Sequence, residues 1–130
     1  TAFSREIGQI PIYFAGDTGY GSGDHFRAVG QKYGSIRLAI LPIGGYEPRW
    51  FVGYAHMNPE EAVQAAIDLH AGNVLGHHWA TFRLTNEAID EPAQRFAAAA
   101  AQAGRTADSF RAIEPGTAWQ VPMDARKNTR

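Results

Sequence analysis

A chain of 130 residues, 45% hydrophobic and 19% charged, is long enough for one domain with a core of its own. A net charge of −1 sets up no overall field to draw in nucleic acid or an anionic membrane. The absence of cysteine excludes disulfides, cysteine nucleophiles and thiolate zinc sites, so any metal must be held by His, Asp and Glu, a donor set that suits hydrolytic Zn, Mn or Fe.

Thr1 to Glu6 reads as a first strand turned at Gly8-Gln9. Ile10 to Phe14 is a short run of β-branched and aromatic residues ending at Ala15-Gly16, which predicts a second strand. Pro11 near its start predicts that one of its edges is unpaired there. Gly16 to Gly23 is a glycine-rich loop that needs unusual backbone dihedrals. Phe26, Val29 and Tyr33 recur at helical spacing over Asp24 to Tyr33, and Gly34 can close that helix. Ile36 to Ile43 is almost wholly apolar, as a strand covered on both faces should be.

Gly44 to Met57 reads as a long loop carrying Tyr46, Trp50, Phe51, Tyr54 and His56. Asn58-Pro59-Glu60-Glu61 then announces a helix: Asn58 can cap, Pro59 suits the first helical position, and Glu61 sits three residues after the cap. That helix is predicted to run to about His70, with Ala62, Ala66 and Leu69 on one face and Gly72 as its stop. Asn73 to His77 predicts a further strand and Pro92 to Ala103 an alanine-rich helix closed by Gly104, while Thr85 to Glu91 has no decisive pattern. Phe110 to Ile113 and Thr117 to Gln120 predict a closing hairpin about Glu114-Pro115-Gly116. Strands alternating with helices imply an α/β layered fold.

Two places carry chemistry. Asp17 opens a glycine-rich loop just beyond a strand, where ligands of α/β sheets collect; the same residue type also caps turns through its side chain. The loop has no G-x-x-x-x-G-K-[ST] pattern and no lysine, which argues against a nucleotide site. His77 and His78 end a strand, and because neighbouring strand side chains point to opposite faces, one of them should face a site and the other pack or meet solvent. His56, before the capped helix, is either a packing residue of the helix entry or part of a site; His25 reads as surface and His70 as a helix-end cation. The aromatic loop Tyr46-Glu47-Pro48-Arg49-Trp50-Phe51 either packs on itself or forms a lip facing substrate or lipid, with Arg49 as its one cation for a phosphate or carboxylate.

Four blocks together resemble one family. Tyr13-Phe14-Ala15-Gly16-Asp17-Thr18-Gly19-Tyr20, Leu41 to Phe51 with its Y-E-P-R-W-F, His56-Met57-Asn58-Pro59-Glu60-Glu61-Ala62-Val63 and His77-His78-Trp79-Ala80-Thr81-Phe82 follow the order found in the C-terminal half of N-acyl-phosphatidylethanolamine phospholipase D and its bacterial relatives. Those enzymes have the metallo-β-lactamase fold. The resemblance implies an α/β fold: half of an αβ/βα sandwich, one sheet with helices on one face. Residues 1–121 would form that half, followed by a polar basic tail over 122–130.

The same resemblance implies a binuclear zinc hydrolase of phosphodiesters. Asp17 would bridge the metals, His78 would ligate the second ion, and His56 would act in catalysis by proton transfer beside the site. Tyr46, Arg49 and Trp50 would contact substrate. The family's H-x-H-x-D-H cluster belongs to its N-terminal half and is not in this chain. The expected partner is therefore that missing half, or a second copy of the chain covering an apolar sheet face of Ile12, Phe14, Leu38, Ile40 and Val74. Alone, the chain should bind zinc weakly and hydrolyse phosphodiesters poorly. A distant branch of the superfamily, the ascorbate phosphate lactonases, opens a lactone with a similar site. The other reading is a non-catalytic α/β domain that self-associates. No apolar run nears the about 18 residues needed to span a bilayer and no signal-peptide pattern is seen, which leaves the setting unassigned between the cytoplasm and the membrane periphery.

Overall fold

The computed structural model describes residues 3–7, 10–52, 56–79, 88–114 and 116–122. In chain order the elements are β1 (Phe3–Ile7), β2 (Ile10–Phe14), α1 (Asp24–Tyr33), β3 (Ile36–Pro42), α2 (Arg49–Val52), α3 (Pro59–Asp68), β4 (Ala71–His77), α4 (Glu91–Gln102) and β5 (Phe110–Arg111). The five strands form one sheet in the order β1-β2-β3-β4-β5. β1 runs antiparallel to β2, and the other neighbours are parallel. The β2–β3 ladder begins at Ile12, one residue past Pro11, whose missing N–H leaves it nothing to donate.

A parallel sheet laid down in chain order by crossovers of one hand carries its helices on one face. That face holds the register row Tyr13, Ala39, Val74 and Phe110, and all four residues are buried. Tyr13 meets Phe26 of α1 edge-on at 6.2 Å, and Phe110 stacks under Phe96 of α4 at 6.1 Å. Ala62, Ala65 and Ala66 of α3, with Leu69 just past its end, complete the core. α1 and α3 can touch because Gly30 has no side chain: a Cβ there would overlap the Asp68 carbonyl oxygen and lie 3.2 Å from Leu69 Cα.

The opposite face carries Ile12, Phe14, Leu38, Ile40 and Leu75. Leu38 is buried, but Phe14 keeps 40% of its surface and Ile12, Ile40 and Leu75 are half-buried. Val74, expected with them, is buried on the helical side instead. The C-terminal segment is not detached: Arg37 donates to the carbonyls of Val121 and Pro122, and the Arg111 guanidinium lies 5.4 Å from the Trp119 ring.

Several sequence expectations are corrected. The 44–57 loop contains a helical turn, α2. α3 ends at Asp68, and His70, not Gly72, turns the chain by taking a left-handed φ of 57°. Gly72 lies inside β4. No hairpin closes the sheet: β5 is a two-residue strand parallel to β4, and 117–120 is not a strand. The turn at Gly8-Gln9, residues 85–87 of the 85–91 segment and the basic tail after Pro122 lie outside the described residues. No helix among the described residues is long and apolar enough to cross a membrane.

Candidate metal centre

Parallel β2, β3 and β4 bring their carboxyl ends to one edge of the sheet. The ladders continue past the strands: Ala15 N–H donates to the Ile40 carbonyl at 3.0 Å and Ile43 N–H to the His77 carbonyl at 2.9 Å. Asp17 and His78 are the next polar side chains beyond those anchors. His78 Nε2 stands 3.6 Å from Asp17 Oδ1. The His56 ring stacks on the His78 ring, with centroids 5.1 Å apart and planes 16° apart. Donor atoms of Asp17, His56 and His78 all lie within 4.8 Å of one another.

The loop bearing Asp17 is held at both ends. Upstream is the Ala15 ladder bond. Downstream, Tyr20 stacks on Phe26 at 5.7 Å and donates its hydroxyl to Asp68 of α3 at 2.5 Å. Beneath the loop, the Tyr13 hydroxyl meets His25 Nε2 at 2.9 Å, and burial pushes that phenol up to about 12. His25 is thus tied to the core through its ring, which its surface position in the sequence did not suggest.

His78 is held by Gly44. Its Nδ1 lies 3.0 Å from the Gly44 carbonyl, a contact that makes Nδ1 the protonated nitrogen and leaves the lone pair on Nε2, the atom facing Asp17. His78 also has φ 66°, a left-handed conformation rare outside glycine. That turn takes it out of the pleat, so simple strand alternation is not what separates it from His77. His77 ends β4 and sits against Phe14 at 5.2 Å, its ring at 77° to that of His78. Burial depresses the His77 pKa, disfavouring the charged ring, and it is not among the three clustered donors.

Two of the three donors already have the spacing that a divalent cation needs. Donors about 2 Å from one ion sit roughly 3–4 Å from each other. The 3.6 Å between Nε2 and Oδ1 meets that span without movement. Asp17 is exposed and His56 half-buried, so the open side of the cluster faces outward.

The residues expected to touch substrate have different surroundings. Tyr46 is fully buried, donates its hydroxyl to Glu91 and lies under the Arg95 guanidinium, 4.7 Å from its ring centroid. Its phenol pKa is raised by burial and by Glu91. Such a phenol has no open surface for a ligand in this chain. Arg49 donates to the His56 carbonyl at 3.1 Å and to Glu61 Oε1 at 2.7 Å. Trp50 is 86% exposed. An open recess of about 270 Å³ adjoins His78, with Leu75, Trp79 and Ile113 among its walls.

Sequence reasoning missed Gly44. The Gly44-Gly45 pair was legible only as part of a motif. A Cβ on Gly44 would overlap the His78 carbonyl oxygen and lie 3.2 Å from its carbon and 3.3 Å from Trp79 Cα, all backbone atoms that cannot rotate away. Gly44→Ala should therefore destabilise the chain by about 1–3 kcal/mol, the usual range for overpacking, and displace His78 at the same time. Gly72→Ala is the control, since Gly72 has no left-handed φ and a Cβ there meets only the Ile36 carbonyl oxygen, at 4.0 Å. Urea unfolding of both variants tests this. A Gly44→Ala chain no less stable than Gly72→Ala would show that His78 does not approach the glycine as described.

With that geometry, comparison with known proteins is decisive. Residues 2–79 match the family model described as a beta-lactamase superfamily domain. The chain belongs to the metallo-β-lactamase superfamily. It is 38% identical over 112 residues to N-acyl-phosphatidylethanolamine-hydrolyzing phospholipase D 1 of Caenorhabditis elegans, covering 85% of this chain and 31% of that protein. The mitochondrial N-acyl-phosphatidylethanolamine-hydrolyzing phospholipase D of Saccharomyces cerevisiae is 45% identical over 87 residues, 65% of this chain and 18% of its own length. Among solved structures, the metallo-beta-lactamase fold protein YhfI of Bacillus subtilis superposes with a TM-score of 0.63 at 19% identity, over 91% of this chain and 43% of that one. Igni18, a metallo hydrolase of Ignicoccus hospitalis, superposes at 0.56 and 29% identity over 82% of this chain and 38% of its own. The chain thus spans under a third of the phospholipase relatives and under half of these superfamily structures, and it carries their α/β fold.

Proposed function

We propose that this chain supplies one side of a metal-dependent phosphodiester hydrolase centre of the phospholipase D kind. The observation that carries the reading is the convergence of donor atoms from Asp17, His56 and His78 within 4.8 Å at the carboxyl edge of a superfamily sheet. Asp17 Oδ1 and His78 Nε2 are the metal-binding atoms, and Gly44 fixes which His78 nitrogen is free. A bound zinc ion would lower the pKa of a coordinated water and polarise a phosphoryl oxygen, and in a two-zinc centre the ions would share those tasks. His56, stacked beside His78, either adds a third donor or carries a proton to or from the reacting oxygens, a task suited to imidazole near neutral pH. The apolar walls of the recess beside His78 suit the hydrocarbon part of a lipid phosphodiester.

The partner we propose is a half carrying H-x-H-x-D-H, seated on the sheet face where Phe14, Ile12, Ile40 and Leu75 are incompletely covered. Mixing this chain with such a half and assaying a simple phosphodiester and N-acyl-phosphatidylethanolamine with added zinc tests the reading. Activity should appear in the mixture and vanish with Asp17→Ala. If the mixture forms a stable complex that holds zinc yet cleaves no phosphodiester, the activity assignment is wrong. Light scattering of the chain alone distinguishes a second copy on the same face from the missing half.

A further inference from the structure

We propose that Arg49 is a positioning residue for His56, not a substrate contact. The inference rests on the reading of Asp17, His56 and His78 as one centre, and concerns how the middle member is placed.

His56 sits between the segment 53–55, outside the described residues, and the cap of α3. It belongs to no strand or helix. The structure supplies a clamp instead. Arg49 Nη1 donates to the His56 carbonyl at 3.1 Å while Nη2 donates to Glu61 Oε1 at 2.7 Å. The same Glu61 oxygen accepts the Asn58 backbone N–H at 2.9 Å, and Asn58 Oδ1 accepts the Glu61 N–H at 2.8 Å. This is a complete capping box. A planar guanidinium can span a carbonyl and a carboxylate in one fixed fork, which a single ammonium cannot reproduce.

The consequence is a rigid path from helix to site. The capping box fixes the start of α3, Glu61 fixes Arg49, and Arg49 fixes the His56 backbone. The His56 ring then has only its own χ angles left, and stacking on His78 removes most of that freedom. His78 is fixed independently by Gly44. The centre therefore has two separate supports, and removing one should loosen His56 while leaving His78 in place.

The experiment uses ¹⁵N-histidine NMR on Arg49→Met, Arg49→Lys, Glu61→Gln and wild type, first without metal and then with zinc titrated to millimolar concentration. Without metal, the ring contact between His56 and His78 should weaken in Arg49→Met and Arg49→Lys, while the Nδ1 signal of His78, held by Gly44, stays put. Glu61→Gln keeps the capping acceptor but removes the charge that aligns Arg49, so it should shift in the same direction by less, and it carries the test if Arg49→Met does not fold. With zinc, affinity should fall about tenfold in Arg49→Met, the lower end of what outer support of a metal site provides. In a His56→Ala background the same substitution should have no further effect.

Unchanged ring contacts in Arg49→Met, full rescue by Arg49→Lys, or an undiminished tenfold loss in the His56→Ala background would each overturn the clamp. The metal reading fails separately: wild type would then show no zinc response at His78, whatever happens to the His56 ring.

Discussion

His78→Gly should abolish zinc binding and leave the fold as stable as wild type or more so. The two effects separate because His78 occupies a conformation that suits glycine. At φ 66° an L side chain is strained by roughly 1–2 kcal/mol, and glycine relieves that strain. Removing the imidazole takes Nε2 from its place 3.6 Å from Asp17 Oδ1. Outer support of a metal site is worth about 10–100-fold in affinity, and a ligand must be worth at least the upper end of that range. Asp17→Ala should weaken zinc by at least about 100-fold too, without the gain in stability, since nothing strained is released. Zinc titration followed at the histidine rings, with urea unfolding of the same samples, gives both quantities. Wild-type affinity in either variant would remove the metal centre. A large loss of stability in His78→Gly would instead show that the ring is a packing element and that its backbone strain serves the fold.

Phe96→Ala should destabilise by about 3–5 kcal/mol, the usual range for a buried phenylalanine. Phe96 is 1% exposed and stacks on Phe110, itself buried, so its loss opens a void between α4 and β5. β5 is only two residues long and pairs with β4 alone. With so few ladder bonds, side-chain packing from α4 is the main force holding that edge of the sheet. Phe96→Leu should cost less, because most of the volume is kept. Asp17 and His78 lie beyond β2 and β4 and His56 lies before α3, so zinc affinity of the folded fraction should not move. A Phe96→Ala loss under about 1 kcal/mol would mean that α4 is not seated on the sheet through this pair.

The difference between these sites shows what was legible in the chain. The capped start of α3 was readable because its signals are local: Asn58, Pro59 and Glu61 lie within four positions, and the structure forms the full box they predict. The second strand, α1, and α4 were readable for the same reason, from periodicity and from glycine or proline at their ends. The hairpin at 110–120 was misread because turn chemistry is local but strand pairing is not: Phe110 finds β4 in parallel instead of its own continuation. α2 was missed because four residues are too few to show a helical period.

Asp17 and His78 stood out in the sequence as polar residues just past apolar strands. Residue order alone could not say that β2 and β4 are parallel strands separated by one neighbour, which is what puts both residues on one edge. Nor could it assign Arg49. As the lone cation of an aromatic loop it suggested substrate; in the folded chain Glu61, twelve residues on, competes for it and wins because the pair is close and partly sheltered from water. Tyr46 has the same history, drawn into the interior by Glu91, 45 residues away. The chain by itself determined the secondary elements with strong local signals and the family to which they belong. Tertiary structure decided which donors meet, which nitrogen of His78 faces Asp17, and which loop residues are buried. Those outcomes depend on contacts between distant segments, and such contacts exist only once the sheet has set their register.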